Sequence, residues 1–102
     1  MSEAEEIKRD GATPVKNSGR GLHKGDAILE PFLIDYKEYP KGFNVTPQAW
    51  AKISTDSIKN GRRQPTLKLV IGDEQKMRVW VVGDKMFHEM LDAWNQVYGK
   101  ES

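Results

Sequence analysis

The 102-residue chain contains no cysteine. Without thiols it has no disulfide framework, no zinc–thiolate site and no thiol nucleophile. It also lacks an apolar run near the roughly 20 residues that cross a bilayer, and its first residues are acidic where a secretory signal is basic. These absences predict an intracellular protein with no membrane partner. Any catalysis then depends on oxygen, nitrogen or a hard metal ion.

Length limits the domain organisation. A chain of 102 residues, 37% of them hydrophobic and 30% charged, supports one small core and has no room for a second. We therefore expect a single domain over residues 1–102. Within it we expect a short helix over 1–10, a basic glycine-rich loop over 11–25 and a frayed tail over 98–102.

The formal net charge of +1 conceals an uneven distribution. Residues 11–64 contain nine Lys and Arg against five Asp and Glu, whereas both flanking segments are net acidic. A basic segment with Asn, Ser and Gly between its cations is suited to phosphate contacts, which indicates a nucleic-acid partner. The alternative is an ordinary solvated surface.

Periodicity and turn residues predict alternating helices and strands. A long connection around residues 40–65 permits parallel strand pairing, so we expect a mixed α/β or α+β sandwich. Trp50, Trp80 and Trp94 are predicted to lie in the core. The predicted elements are a helix over 3–10, strands Asp26–Leu29 and Phe32–Tyr39, a short strand at Phe43–Val45, a helix Pro47–Lys59 with the apolar stripe Trp50, Ile53 and Ile58, strands Thr66–Ile71 and Met77–Val82, and a helix Asp84–Val97.

One strand carries an unexpected charged pair. Asp35 and Lys37 interrupt an otherwise apolar strand and point to the same face, because side chains alternate along a strand. Asp26 opens the preceding strand. Two carboxylates are ligands that Mg²⁺ takes, with water and phosphate completing its coordination. Lys37 is placed to orient or deprotonate an attacking water or to stabilise charge on the phosphate.

This pattern is the layout of metal-assisted phosphodiester hydrolysis. An edge-strand ion pair between Asp35 and Lys37, with no function, is the simpler alternative.

Together, the glycine-rich loop, the acid that opens a strand and the acid-x-lysine strand resemble the PD-(D/E)xK nuclease superfamily. The similarity spans roughly residues 12–91, and the small phage-encoded, Holliday-junction-resolvase-like members match best. Lys24-Gly25-Asp26 stands in place of the family's Pro-Asp, and Asp35 in place of its more usual glutamate. The segments that carry the resemblance are Val15–Gly19, Lys24–Asp26, Phe32–Lys37, Trp50, Pro65–Ile71, and Val79–Val82 with Phe87 downstream.

The resemblance implies a restriction-endonuclease-like fold, with an αβββαβ core on a mixed sheet flanked by helices. It also implies an Mg²⁺-dependent DNA endonuclease, with Mn²⁺ as a substitute, in the bacterial cytoplasm if phage-encoded. Asp26 and Asp35 would hold the metal, and Lys37 would assist hydrolysis. The family usually adds a glutamate from its first helix; Glu3, Glu5 and Glu6 are available, with Glu3 preferred, although helix-start acidity explains all three equally well.

Several residues are candidates for DNA contact. Lys16, Ser18, Arg20 and Lys24 lie in the glycine-rich loop. Arg62 and Arg63 follow the middle helix and would either bind DNA or complement the negative end of the helix dipole. His23 and His88 lack the spacing of zinc ligands.

Three functions compete at this stage. The first is a structure-selective endonuclease, for which a homodimer is expected because resolving a junction symmetrically needs two sites. The second is a non-catalytic DNA-binding or accessory protein with the nuclease fold, suggested by the short first helix. The third is a small structural protein with an accidental likeness. The apolar stripe of the last helix, with Met86, Phe87, Met90 and Trp94, is assigned either to the core or to a dimer surface.

Overall fold

Five strands and three helices make up the computed structural model, which describes residues 3–15 and 26–99. The four longer strands and all three helices lie where periodicity predicts them, to within two residues at each end. The elements are α1 (Glu3–Asp10), β1 (Thr13–Pro14), β2 (Asp26–Leu29), β3 (Phe32–Tyr39), α2 (Pro47–Lys59), β4 (Gln64–Ile71), β5 (Met77–Val82) and α3 (Asp84–Tyr98).

The strands form one mixed sheet in the order β1-β2-β3-β4-β5. Neighbouring strands are antiparallel except β3 and β4, which run parallel and are joined by the crossover through α2. The two-residue strand β1 was not predicted, because Pro14 and the nearby glycines favour a loop. With β1 included, the elements from α1 to β4 have the expected αβββαβ order, in an α+β domain with a mixed sheet flanked by helices.

Helix α2 begins and ends as its sequence predicts. The Thr46 hydroxyl accepts a hydrogen bond of 3.1 Å from the backbone N–H of Ala49, and Pro47 occupies the first turn. Asn60 ends the helix. The helix covers one face of the sheet, where its Ile53 packs against Leu33 of β3 and Leu67 of β4. We call this the α2 face.

Helix α1 covers part of the opposite face, which we call the α1 face. Its Ile7 packs against Ala27, Ile34 and Tyr36. The same helix is held by buried charge, since the Lys68 ammonium of β4 donates 2.9 Å hydrogen bonds to both Glu6 and Asp10. Hydrophobic contact and ion pairing therefore fix a helix of only eight residues.

Three expectations about packing and secondary structure are wrong. Phe43–Val45 forms no strand; it lies in the connection to α2, where the Phe43 ring stacks on Tyr39 with centroids 5.4 Å apart. In α2 the buried stripe contains Ser57 and leaves Ile58 exposed. Ile58 is five residues after Ile53, which places it about 140° away around the helix.

The tryptophans also differ from expectation, since Trp50 alone of the three packs against the core. Trp80 is 44% exposed and Trp94 is 59% exposed. Helix α3 extends through Tyr98, so the predicted tail begins at least one residue later, and residues 100–102 lie outside the described part of the chain. In the described ranges, no helix has both the length and the hydropathy needed to cross a membrane.

Candidate active site

The two predicted metal ligands face each other across neighbouring strands. Asp26 of β2 is directly opposite Asp35 of β3 in the antiparallel register. Directly opposed side chains in such a pair have Cβ atoms about 4.5–5.5 Å apart, close enough for the two carboxyl groups to meet. Both side chains lie on the α2 face, and Asp35 is buried.

The two carboxyl groups share a proton. Burial, together with the negative charge of Asp35, raises the pKa of Asp26 to about 7. The neutral Asp26 carboxyl donates a hydrogen bond to the Asp35 carboxylate. Burial also raises the pKa of Asp35, and the Lys37 ammonium opposes that rise. The pair therefore holds a proton near neutral pH. This proton offsets part of the negative charge of the two carboxyl groups, as a bound cation would.

Lys37 lies beside this pair, as the strand alternation predicts. Its Nζ is 3.5 Å from an Asp35 carboxylate oxygen. The ammonium also lies 5.8 Å from the centroid of the Phe43 ring, whose face attracts cations. About a quarter of the Lys37 side chain is exposed, so its ammonium can reach both Asp35 and a ligand in solvent.

Sequence reasoning missed two charged residues of α2 that interact with the pair. The Lys52 ammonium lowers the pKa of both Asp26 and Asp35, and the Asp56 carboxylate raises that of Asp26. Lys52 and Asp56 form a 3.1 Å ion pair on the helix surface. Lys52 and Asp56 each precede a buried residue of α2, Ile53 and Ser57. This position was the sequence signal that could have found them, because residues that flank a buried stripe lie at the edge of a helix–sheet contact.

The residues that flank the segment 16–25 meet at Asp26. The backbone N–H of Val15 donates a 3.1 Å hydrogen bond to the carbonyl of Asp26, so residues 16–25 connect two points at Asp26 itself. The predicted DNA contacts Lys16, Ser18, Arg20 and Lys24, and also His23, lie outside the described residues.

The two arginines after α2 have different surroundings. Arg63 forms a salt bridge with Glu30, with Nη2 2.6 Å from the carboxylate, and its Nη1 donates to the carbonyl of Asn60 at the end of α2. That second bond matches the predicted alternative of complementing the helix end. Arg62 is exposed and has a left-handed φ of 56°.

The glutamates of α1 belong to the other side of the sheet. Glu6 is buried on the α1 face, where the Arg78 guanidinium and the Lys68 ammonium lower its pKa to about 2. Glu3 begins the same helix, which packs on the α1 face, opposite to the face that carries Asp26 and Asp35. Over residues 3–15 and 26–99, no three acidic, histidine or cysteine side chains form a metal-binding group.

The donor set nevertheless suits a hard cation. Two opposed carboxylates are the usual protein contribution to an Mg²⁺ site, with water and substrate phosphate completing the octahedron. Asp26 and Asp35 meet that requirement, and a cation would replace the proton that they share.

We compared the chain with protein-family models, curated proteins and solved structures, and none of them matches it. The functional assignment therefore depends on the residues and their geometry.

Proposed function

We propose that this protein is an Mg²⁺-dependent endodeoxyribonuclease, structure-selective in the manner of Holliday junction resolvases and able to use Mn²⁺. The observation that carries the proposal is the direct opposition of Asp26 and Asp35 with Lys37 beside them. A carboxyl pair with one buried member and a raised pKa is costly to fold, which favours a binding role over a structural one.

Asp26 and Asp35 would hold the metal ion, which when bound supplies Lewis-acid polarisation of a phosphate and acidification of water. Lys37 would orient or deprotonate the attacking water, or stabilise negative charge on the phosphate. Its exposed fraction and its 3.5 Å separation from Asp35 suit either role.

DNA would approach the α2 face at the carboxyl pair. Support comes from the hydrogen bond between Val15 and Asp26, which brings the flanks of the segment 16–25 together at Asp26, and from Lys52 on the adjacent helix surface. Lys16, Ser18, Arg20, Lys24 and Arg62 are the proposed backbone contacts, whereas Arg63 has a structural partner in Glu30. Cleavage of both strands of a junction would use two copies of the chain, and DNA as substrate implies a location inside the cell.

The test is cleavage of labelled four-way junction, flap and linear duplex DNA with Mg²⁺ or Mn²⁺. We expect the wild type to cut the junction preferentially. Asp35→Asn should reduce the rate by more than about 100-fold while DNA binding persists, because the substitution removes a metal ligand and keeps the shape of the side chain.

Asp73→Asn, in the exposed turn between β4 and β5, is the matched control and should cut at the wild-type rate. Equal cleavage by wild type and Asp35→Asn would contradict the proposal.

The position of α1 favours a second candidate, a DNA-binding accessory protein that has lost efficient cleavage. Its Glu6 is committed to Lys68 and Arg78 on the face away from the carboxyl pair. This candidate predicts salt-sensitive DNA binding that neither Mg²⁺ nor Asp35→Asn alters, and no cleavage of any substrate.

A further inference from the structure

An aromatic pair lies on the α2 face beside the carboxyl pair. Tyr39 ends β3 two residues after Lys37, so strand alternation places both side chains on this face. The Phe43 ring stacks on the Tyr39 ring with centroids 5.4 Å apart and planes 22° apart. The Lys37 ammonium lies 5.8 Å from the centroid of the same Phe43 ring. A surface of two rings therefore begins at the lysine of the proposed site.

The two rings differ in burial. Phe43 is half-buried and packs against the core residues of the α2 face, which include Leu33 and Ile53. Tyr39, which stacks on it, is 41% exposed. An aromatic ring that is already held in place loses little conformational freedom when a ligand stacks on it. The exposed Tyr39 ring, supported by Phe43, is therefore a preformed stacking surface.

Lysines alternate with these rings along the chain. Lys37, Tyr39, Lys41 and Phe43 occupy every second position from the end of β3 into the connection to α2. Lys41 is exposed in the bend that follows the strand. Proteins that bind single-stranded nucleic acid combine cations that follow the phosphate backbone with aromatic side chains on which the bases stack. This segment contains both kinds of group within seven residues.

The spacing fits a nucleotide close to the phosphate that the site would cut. Residues two apart in a strand are separated by about 6.7 Å, and stacked bases of one DNA strand by about 3.4 Å. Tyr39 is therefore about two base steps from Lys37 along β3. An unpaired base within one or two nucleotides of that phosphate would reach the Tyr39 ring.

We propose that Tyr39 and Phe43 form a stacking platform for an unpaired base of the bound DNA, so that the substrate class is branched or gapped DNA. This inference rests on the proposed function, because it places the DNA backbone at Asp26 and Asp35. A base at a branch point or in a single-stranded gap lacks a stacking neighbour, so it reaches the platform without the cost of unstacking a duplex. A fully paired duplex has no such base.

The test compares the affinities for two labelled DNAs of equal length, one fully paired and one with a single-stranded gap of about six nucleotides. Fluorescence anisotropy in EDTA measures both affinities without cleavage. We expect the wild type to bind the gapped DNA at least about tenfold more tightly than the duplex. Tyr39→Leu removes the ring, so it should weaken binding of the gapped DNA about tenfold and binding of the duplex less than about twofold.

Two further variants serve as controls. Tyr39→Phe keeps the ring and should keep the preference for gapped DNA. Tyr98→Leu removes another exposed tyrosine, in α3, and should change neither affinity. The base analogue 2-aminopurine, placed in the gap, should lose fluorescence on binding to the wild type and to Tyr39→Phe, and should keep it with Tyr39→Leu. Because Tyr39 is exposed, Tyr39→Leu is expected to fold, and far-ultraviolet circular dichroism checks this.

Equal affinity of the wild type for the two DNAs would overturn the inference. A preference that Tyr39→Leu retains, or that Tyr39→Phe loses, would also overturn it. The cleavage assay separates these results from a failure of the proposed function. Cleavage that depends on Asp35 but not on Tyr39 contradicts the platform alone, whereas a Tyr39-dependent preference in a protein that cuts no DNA supports the platform and contradicts the nuclease.

Discussion

At the scale of single residues, the raised pKa of Asp26 is the property most closely tied to the proposed function. Its pKa of about 7 results from burial and from the neighbouring Asp35. A cation competes with the shared proton, because both stabilise the two carboxylates against mutual repulsion. Metal binding at this pair, as proposed, would therefore be coupled to proton release.

We expect the affinity for Mg²⁺ to depend on pH. Below pH 7 the cation must displace a proton, so the association constant should rise about tenfold per pH unit up to pH 7 and then level off. Calorimetric titration from pH 5.5 to 8.5 measures this. An affinity independent of pH would show that the cation binds elsewhere.

The same pKa predicts a change in folding stability. The folded state keeps the Asp26 proton up to about pH 7, whereas the unfolded chain loses it near pH 3.8, so stability falls as pH rises between these values. In metal-free buffer, Asp26→Asn should remove this fall and be more stable than the wild type at pH 8. Urea unfolding at pH 5 and pH 8 measures the difference. An identical pH dependence in both proteins would contradict the assigned pKa.

Single residues also show what the sequence allowed us to predict. The shared face of Asp35 and Lys37 followed from strand alternation, and the geometry agrees. The contribution of Lys52 did not follow, because the position of α2 over the sheet depends on tertiary packing. Ile58 was assigned to the buried stripe of α2 because it is apolar. The helical period places it on another side of the helix from Ile53, and it is exposed.

At the scale of elements, the attachment of α1 depends on one lysine. Lys68 is fully enclosed and bonds Glu6 and Asp10, while Tyr36 donates to Asp10 and Arg78 to Glu6. Removing one partner of a buried ion network leaves the opposite charge without compensation.

Lys68→Met should therefore lower the free energy of unfolding by about 3–5 kcal/mol, as expected for a broken buried ion pair. Lys8→Met, on the exposed side of α1, is the control and should change it by less than about 0.5 kcal/mol. Urea denaturation of both variants gives the comparison. Equal stability of the two variants would show that the network does not hold α1.

Among the elements, the ends of a helix could be predicted where the residues that set them act only on their neighbours in the chain. Thr46, Pro47 and Asn60 define α2 because capping needs only neighbouring residues. The two-residue strand β1 was not predictable, since its pairing with Ile28 and Ala27 depends on a partner more than ten residues away.

At the scale of the whole molecule, the sheet separates two groups of charged residues. The carboxyl pair and Lys37 lie on the α2 face, and the Lys68 network lies on the α1 face. The long connection expected around residues 40–65 permitted parallel pairing, and the resemblance implied a mixed sheet; the structure has both, with β3 and β4 parallel. The sequence did not predict which face each helix covers, and that determines where the α1 glutamates lie.

The most direct test of the proposed site is the binding of Mn²⁺, measured by electron paramagnetic resonance on the metal-free protein at pH 8. We expect one ion per chain in the wild type and in Asp73→Asn. Asp26→Asn and Asp35→Asn should each weaken binding by at least about tenfold, because each removes one carboxylate ligand. Undiminished binding in both site variants would contradict the assignment of Asp26 and Asp35 as the metal site.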